Sequence, residues 1–337
     1  MRCLSIADAA APTMISAFAM ACSDQKAREI VQQRGHCVIE LPDAMEFDSA
    51  GLESHLIDSQ VVVYDLSHNL DPPRRAALKC YVNKMCKAGT LRMLIDGMPP
   101  QAAIEGPDWE VDILVLPYVG ALNRVENYET LSGPQFSVLP FKFYTLGSPR
   151  QIVDKARKIL VTFGGSDPLG LTVLAIDALL ALDLSQVQIR IVIGPGFANY
   201  LVDQIKLKTT NSPHIGLILA TDSLAVHMMW ADLAISATGL TKYELARTGT
   251  PAILVSTDPA HATAHQAFDD ANTAWHLGIA EELSEECLSE ALWDLITNAK
   301  VRKKMSNNGQ ALIDGHGAMR IADYMKRRQH VEHIVSY

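Results

Sequence analysis

No C-x-x-C pair, no Cys/His cluster at zinc spacing and no excess of positive charge is found in this chain. Its six cysteines, Cys3, Cys22, Cys37, Cys80, Cys86 and Cys287, are scattered over 337 residues, as reduced thiols are and a disulfide framework is not. With 29 Lys and Arg against 38 Asp and Glu, the net charge of −9 argues against nucleic acid or an anionic membrane as partner. It leaves room for a local phosphate site. No apolar run reaches the ~18 residues of a membrane span, so no stable membrane insertion is expected. The N-terminal stretch up to Ala19-Met20-Ala21-Cys22 resembles an export signal, but its basic region is Arg2 alone and Asp8 interrupts its apolar run; the cytoplasm is the expected location. G-x-S-x-G, Walker and G-x-G-x-x-G sequences are all missing, which leaves serine-hydrolase, P-loop and NAD readings without support. There is no internal repeat and no low-complexity segment.

What is present is a globular composition, 48% hydrophobic and 20% charged, in a chain long enough for two domains with real cores. Short apolar runs alternate with helical patterns. In the first half a helix is expected over Met1–Ala10, a strand over Met14–Ala21, a helix over Ser23–Arg34 closed by Gly35, and a strand over Val38–Leu41. Apolar strands at Gln60–Tyr64 and Leu91–Ile95 deliver Asp65 and Asp96 to their C-terminal ends, with a helix from about Pro73 to Lys87 between them. Asp112–Leu116 is a further apolar strand. Near-continuously apolar strands separated by helices predict an open parallel sheet covered on both faces. Such sheets bind ligands just past strand C-termini, which makes Asp65, His68, Asn69 and Asp96 candidates, although capping or a turn explains each one singly. The irregular stretch Gly133–Phe141 leads to Gly147-Ser148-Pro149, a hinge that sets the expected domains at 1–145 and 150–330.

The second half is organised around Ile159-Leu160-Val161-Thr162-Phe163-Gly164-Gly165-Ser166-Asp167-Pro168. A buried strand runs into two glycines, and Leu171, Leu174, Ala175, Ala178, Leu179 and Leu182 then repeat at helical spacing. Paired glycines let the backbone approach a ligand, and the free N–H groups of a helix's first turn attract an anion. The stretch reads as a cradle for a nucleotide diphosphate, and taken alone equally well as an ordinary turn. Further strands are expected at Gln188–Ile193, ending at Gly194-Pro195-Gly196, near Ile215–Leu219, and at Ala231–Ser236. Thr221-Asp222-Ser223 caps a helix running to about Trp230. A small-residue loop, Ala237 to Thr241, then feeds a helix holding Tyr243 and Glu244. Gly249 ends that helix, Pro251 opens the strand Ala252–Ser256, and His261, His265 and Gln266 begin the next helix. A carboxylate in a first helical turn can accept both hydroxyls of a ribose; as a lone residue, Glu244 is also simply a favourable charge at a helix N-terminus. Two such loops in one domain favour a nucleotide site. His261 and His265 share a helix face, but no third ligand stands at motif spacing, so no metal is expected.

Several segments together resemble one family: Phe163–Pro168, Gly239-Leu240-Thr241-Lys242-Tyr243-Glu244-Leu245-Ala246 with Gly249-Thr250-Pro251, the joint Gly133–Phe141, and the tail Asp314-Gly315-His316-Gly317-Ala318-Met319-Arg320-Ile321. The chain looks like the UDP-2,4-diacetamido-2,4,6-trideoxy-altropyranose hydrolases of pseudaminic acid synthesis and their spore-coat polysaccharide relatives, within the GT-B superfamily. The resemblance covers nearly the whole chain and is most specific after Gly133. It implies an α/β architecture of two Rossmann-like domains and a UDP-sugar as substrate. Gly164, Gly165, Ser166 and Asp167 would lie against the diphosphate, with Gly194 in the next loop. Thr238, Gly239, Leu240, Thr241 and Tyr243 would line the nucleotide, Glu244 would hold the ribose, and His265 with Gln266 would reach the sugar or phosphate. The implied reaction is water attack at the anomeric carbon with release of UDP, and no cofactor or metal. In the family a G-x-G-H loop carrying a catalytic histidine precedes an Arg-Cys-Leu helix, which here is Met1–Ala9; the first strand of the N-terminal domain is thus expected to be missing. Asp65, His68 and Asp96 are the substitutes for the base. A glycosyltransferase using the same donor, and a catalytically inactive nucleotide-sugar-binding homologue, are the alternatives.

Overall fold

A computed structural model describes residues 2–21, 25–41, 59–65, 89–96, 111–126, 128–146, 150–219, 223–237 and 239–334. The helix expected over 73–87, and also His68, Asn69, Gly147-Ser148-Pro149, Thr221-Asp222 and Thr238, lie outside the described residues. The chain forms two compact units, Met1–Phe141 with His316–Tyr337, and Lys142–Gly315.

The first unit begins with α1 (Arg2–Ala10), β1 (Ala17–Ala21), α2 (Gln25–Gln33) and β2 (Cys37–Leu41), and continues with β3 (Val61–Asp65), β4 (Leu91–Ile95), β5 (Ile113–Leu116) and β6 (Glu129–Ser132). All its strand pairs are parallel. Among the described residues they form two separate ladders, β1–β2 and β3–β4–β5–β6. β4 and β5 are buried throughout apart from Arg92, while Val61, Val62 and Val63 of β3, at the edge of its ladder among the described residues, stay half-buried. β6 was not foreseen: Glu-Thr-Leu-Ser is short and polar, and only pairing with β5 makes it a strand.

The second unit is a single six-stranded sheet. In chain order it holds β7 (Lys158–Thr162), α3 (Leu171–Leu180), β8 (Gln188–Ile193), α4 (Asn199–Thr209), β9 (Ile215–Leu219), α5 (Leu224–Trp230), β10 (Leu233–Ser236), α6 (Thr241–Thr248), β11 (Ala252–Ser256), α7 (Pro259–Asp270), β12 (Trp275–Ile279), α8 (Glu285–Thr297) and α9 (Ala299–Leu312). The strands are ordered β12-β11-β10-β7-β8-β9 and every pair is parallel, a doubly wound Rossmann-like arrangement. β10 and β11 are wholly buried and β7 is exposed only at Lys158, which is why these strands read as continuous apolar runs. Gly249 ends α6 in the left-handed region (φ 64°), as expected, with its N–H donating to Ala246 O at 3.0 Å.

Three arginines fasten the segment that leads into β7. Arg247 donates to the carbonyls of Phe143, Tyr144 and Leu146. Arg150 donates to Met228 O, Met229 O and Thr250 Oγ1. Arg302 donates to four carbonyls, those of Val153, Asp154, Leu295 and Ile296. Finally α10 (Gly317–Ile334) packs within the first unit. Arg320 donates to Gln135 O at 2.8 Å, and Glu129 takes both the Tyr324 hydroxyl and Arg328. Among the described residues no helix is long and apolar enough to cross a membrane.

Candidate functional site

The order of strands in the second unit reverses between β7 and β10, and a sheet of this kind leaves a crevice at that point, outside the strand C-termini. β7 and β10 are hydrogen-bonded neighbours, with Thr162 opposite Ser236 at their final residues. The two loops singled out from the sequence, Gly164–Asp167 and Ala237–Thr241, therefore leave adjacent strands at the same level, about 5 Å apart. No sequence periodicity could have shown that adjacency.

The first loop is built for close backbone packing. Gly164 is left-handed (φ 78°), and Gly164, Gly165 and Ser166 are exposed. Asp167 turns inward: it is buried, and its two carboxylate oxygens accept from the N–H groups of Leu171 (2.9 Å) and Thr172 (2.8 Å). It fastens the start of α3 and leaves the exposed loop to the two glycines and Ser166. The loop after β8 presses against this one, with Gly196 N donating to Gly165 O at 2.8 Å. A Cβ on Gly194 would lie 2.4 Å from Gly165 O and 2.5 Å from Gly164 O, whereas one on Gly165 would meet nothing within 4 Å. Gly194→Ala is therefore expected to lower stability by roughly 1–3 kcal/mol through overpacking against backbone and to displace the cradle. Gly165→Ala should unfold near the wild-type urea midpoint, and equal midpoints for the two variants would contradict this geometry.

The second loop turns into α6. Gly239 is exposed with φ 105°, and Leu240 O accepts the N–H groups of Tyr243 (2.9 Å) and Glu244 (3.2 Å). The Tyr243 ring is buried edge-on against Phe268, with centroids 5.0 Å apart, so it supports the loop from behind. Glu244 is half-buried, and its carboxylate has no hydrogen bond to any described residue. Burial pushes its pKa up to about 7, and the Lys142 charge only partly opposes this. A carboxylate left without donors in that environment is suited to a ligand that brings its own.

Beyond α6 the site continues to the end of β11. His265 is fully buried, its Nδ1 2.8 Å from Ser256 Oγ, and Ser256 Oγ lies 2.9 Å from His276 Nε2. Burial, with Lys242 and His276 nearby, lowers the His265 pKa to about 2, so its ring is neutral. Gln266 is exposed and donates to Asp270. His261 pairs instead with Asp258, Nδ1 to Oδ2 at 2.6 Å; the two histidines four apart turn to different partners. Ser256, His276, Lys142 and Lys242 were not anticipated, because a polar residue at a strand end or on a helix gives no sequence sign of whom it will face.

In the first unit Asp65 and Asp96 stand at the C-terminal ends of the neighbouring strands β3 and β4. Asp65 accepts Arg2 through both oxygens, from Nε at 3.2 Å and Nη2 at 2.5 Å. Asp96 is buried, and its N–H donates to Val115 O at 2.9 Å.

Residues 158–322 match the glycosyltransferase family 28 C-terminal domain. The spore coat polysaccharide biosynthesis protein SpsG of Bacillus subtilis is 26% identical over 196 residues, 58% of this chain and 57% of that protein; the chain thus spans little more than half the length of this relative. Among solved structures, Acinetobacter baumannii MurG superposes with a TM-score of 0.70 at 13% identity, covering 97% of this chain and 95% of that one. The UDP-GlcNAc 2-epimerase of Neisseria meningitidis, bound to UDP-GlcNAc, superposes with a TM-score of 0.62 at 14% identity, covering 97% and 98%. The fold is the α/β GT-B fold, as the resemblance implied.

Proposed function

We propose that the protein binds a UDP-sugar through its C-terminal unit and cleaves it at the anomeric carbon, releasing UDP, in the synthesis of a surface polysaccharide. The observation that carries this is the adjacency of the double-glycine loop and the Glu244 loop at the switch point of one parallel sheet. The backbone amides of the first face a diphosphate, and Glu244 takes the ribose hydroxyls. The similarity to the spore coat polysaccharide protein supports the polysaccharide context, and the nucleotide-sugar complex of a like-folded protein supports the ligand class. Water is the acceptor in the first reading, with Asp96, just past β4, as the carboxylate proposed to take its proton; both oxygens of Asp65 are held by Arg2. Transfer to a sugar acceptor is the second reading, and the match to a glycosyltransferase domain favours it.

One assay separates them: UDP release from a panel of UDP-N-acetylhexosamines and the diacetamido-trideoxy-altropyranose donor, in buffer alone and with oligosaccharide acceptors. Release in buffer, lost in Glu244→Ala and in Asp96→Asn, is the expected result. Release only with an acceptor would establish transfer. Failure of the wild-type protein to bind UDP in calorimetry would sink both readings.

A further inference from the structure

Two features beside the nucleotide loops are unused by the function proposed above. The first is Lys242, second residue of α6. It is only 5% exposed and has no hydrogen bond or ion pair to any described residue. Its ammonium lies against the Tyr243 and Phe268 rings, 5.5 and 5.9 Å from their centroids. A buried ammonium ordinarily requires an anion, and among the described residues this one meets ring faces instead. Burial lowers its pKa to about 8, so at neutral pH it still carries its proton.

The second is the polarity of the hydrogen-bonded chain that ends at His265. Gln266 Nε2 donates to Asp270 Oδ1 at 2.9 Å, which turns Gln266 Oε1 toward His276 Nδ1, 3.5 Å away. Taken as a hydrogen bond, that contact puts the His276 proton on Nδ1, because an amide oxygen only accepts. His276 Nε2 then accepts from the Ser256 hydroxyl at 2.9 Å, and Ser256 Oγ accepts from His265 Nδ1 at 2.8 Å. In that arrangement His265 Nε2 ends the chain as a bare lone pair. That nitrogen is buried and has no hydrogen-bond partner among the described residues. The Lys242 charge is felt at this ring and lowers its pKa; no hydrogen bond joins the two in this structure, and Nε2 is an acceptor open to one N–H of that ammonium once a ligand draws the others.

We propose that Lys242, oriented by the bare Nε2 of His265, forms an anion subsite beside the β10–α6 loop, and that it receives the terminal phosphate of a nucleoside diphosphate. The inference rests on the nucleotide reading of the Glu244 loop. His265, Ser256 and His276 are positioning residues, which offer the ammonium a neutral acceptor and leave the positive charge to Lys242. A carboxylate on the sugar offers the same anionic oxygens, and the experiment separates the two sources.

The test is calorimetric affinity of wild-type protein and of Lys242→Met for UMP, UDP, UDP-glucose and UDP-glucuronate at pH 7. Methionine keeps the apolar stem and removes the charge. The expected result is a loss of about tenfold or more for the three diphosphates, the worth of a charge-assisted hydrogen bond, with UMP changed by less than about twofold. Loss confined to UDP-glucuronate would assign the same anion subsite to a sugar carboxylate. Ser256→Ala, which cuts the chain, should show the same selectivity at smaller amplitude. An equal change for all four ligands, or none, overturns the subsite while leaving the nucleotide site standing. If wild-type protein binds none of the four, the nucleotide reading itself has failed. Met should also raise the melting temperature, since it removes an unpaired buried charge; a variant that binds nothing and melts lower would overturn the subsite in favour of a structural lysine.

Discussion

Arg302→Met is expected to lower the stability of the Lys142–Gly315 unit by roughly 3–5 kcal/mol, the largest loss of any single substitution considered. Arg302 is 0% exposed. Its Nη1 donates to Leu295 O (3.1 Å) and Ile296 O (3.0 Å), carbonyls in the last turn of α8 that no helical N–H can satisfy. Its Nη2 donates to Val153 O (2.6 Å) and Asp154 O (3.0 Å) in the segment entering β7. One guanidinium thus ties a helix end to the segment before the central strand; its loss removes four charge-assisted hydrogen bonds, strands Leu295 O and leaves Ile296 O with the Ala156 N–H alone. Methionine fills the volume and restores none of the bonds. Arg302→Lys should recover little, because an ammonium has no planar fork to span two pairs of acceptors. Three of the four tryptophans, Trp230, Trp275 and Trp293, lie in this unit, so tryptophan fluorescence during urea unfolding reports on it. A midpoint shift worth less than about 1 kcal/mol would show that water reaches these carbonyls and that the arginine is dispensable.

Glu244→Gln should move stability and binding in opposite directions. The folded-state pKa of about 7 lies above the ordinary 4.5, so the folded protein holds this proton more tightly than the unfolded chain does. Below pH 4.5 the group costs nothing. Between 4.5 and 7 the unfolded state ionises first and the folded state loses ground, and above 7 the loss is complete. The displacement from 4.5 to about 7 corresponds to roughly 3 kcal/mol. Glutamine removes that penalty, so the variant should melt higher than wild type at pH 8 and at about the same temperature at pH 4.5. The same change replaces an oxygen acceptor by an amide donor, and UDP affinity should fall by about tenfold or more. Stabilisation without loss of UDP binding would mean that Glu244 faces no ligand. Loss of both would mean that it is a structural group.

Much of this was legible in the residue order, and the exceptions have physical causes. β7 and α3 are visible because Ile159–Thr162 is continuously apolar and Leu171 begins a helical period on the same buried core. α6 is visible because Gly239 and Gly249 bracket it. The polar strand β6 gave no such pattern. Nor did α4, Asn199–Thr209, which buries only Leu201, Ile205 and Thr209 while exposing Leu207 and Tyr200. At the site, the two glycine loops and Glu244 could be found singly, since φ > 0 and a first-turn carboxylate leave marks in sequence. That they share one end of one sheet, and that Lys242 is buried without an anion, depends on strand order and on residues far apart in the chain. Asp167 shows the opposite difficulty: the residue is rightly noticed beside the paired glycines, but both its oxygens go to the backbone of α3.

The position of α10 has a consequence for the order in which the protein is made. In the Lys142–Gly315 unit the central strand β7 is synthesised first and the sheet then grows outward from it on both sides, so each new strand emerges next to a finished neighbour. The first unit has no such luck. Its α1, and the β6 region through Glu129 and Gln135, wait for Gly317–Ile334, which leaves the ribosome after the whole second unit. At about 5–20 residues per second the wait is roughly ten seconds or more. Through that interval an apolar face of the first unit stands open. It is then, and at that surface, that a chaperone has something to hold.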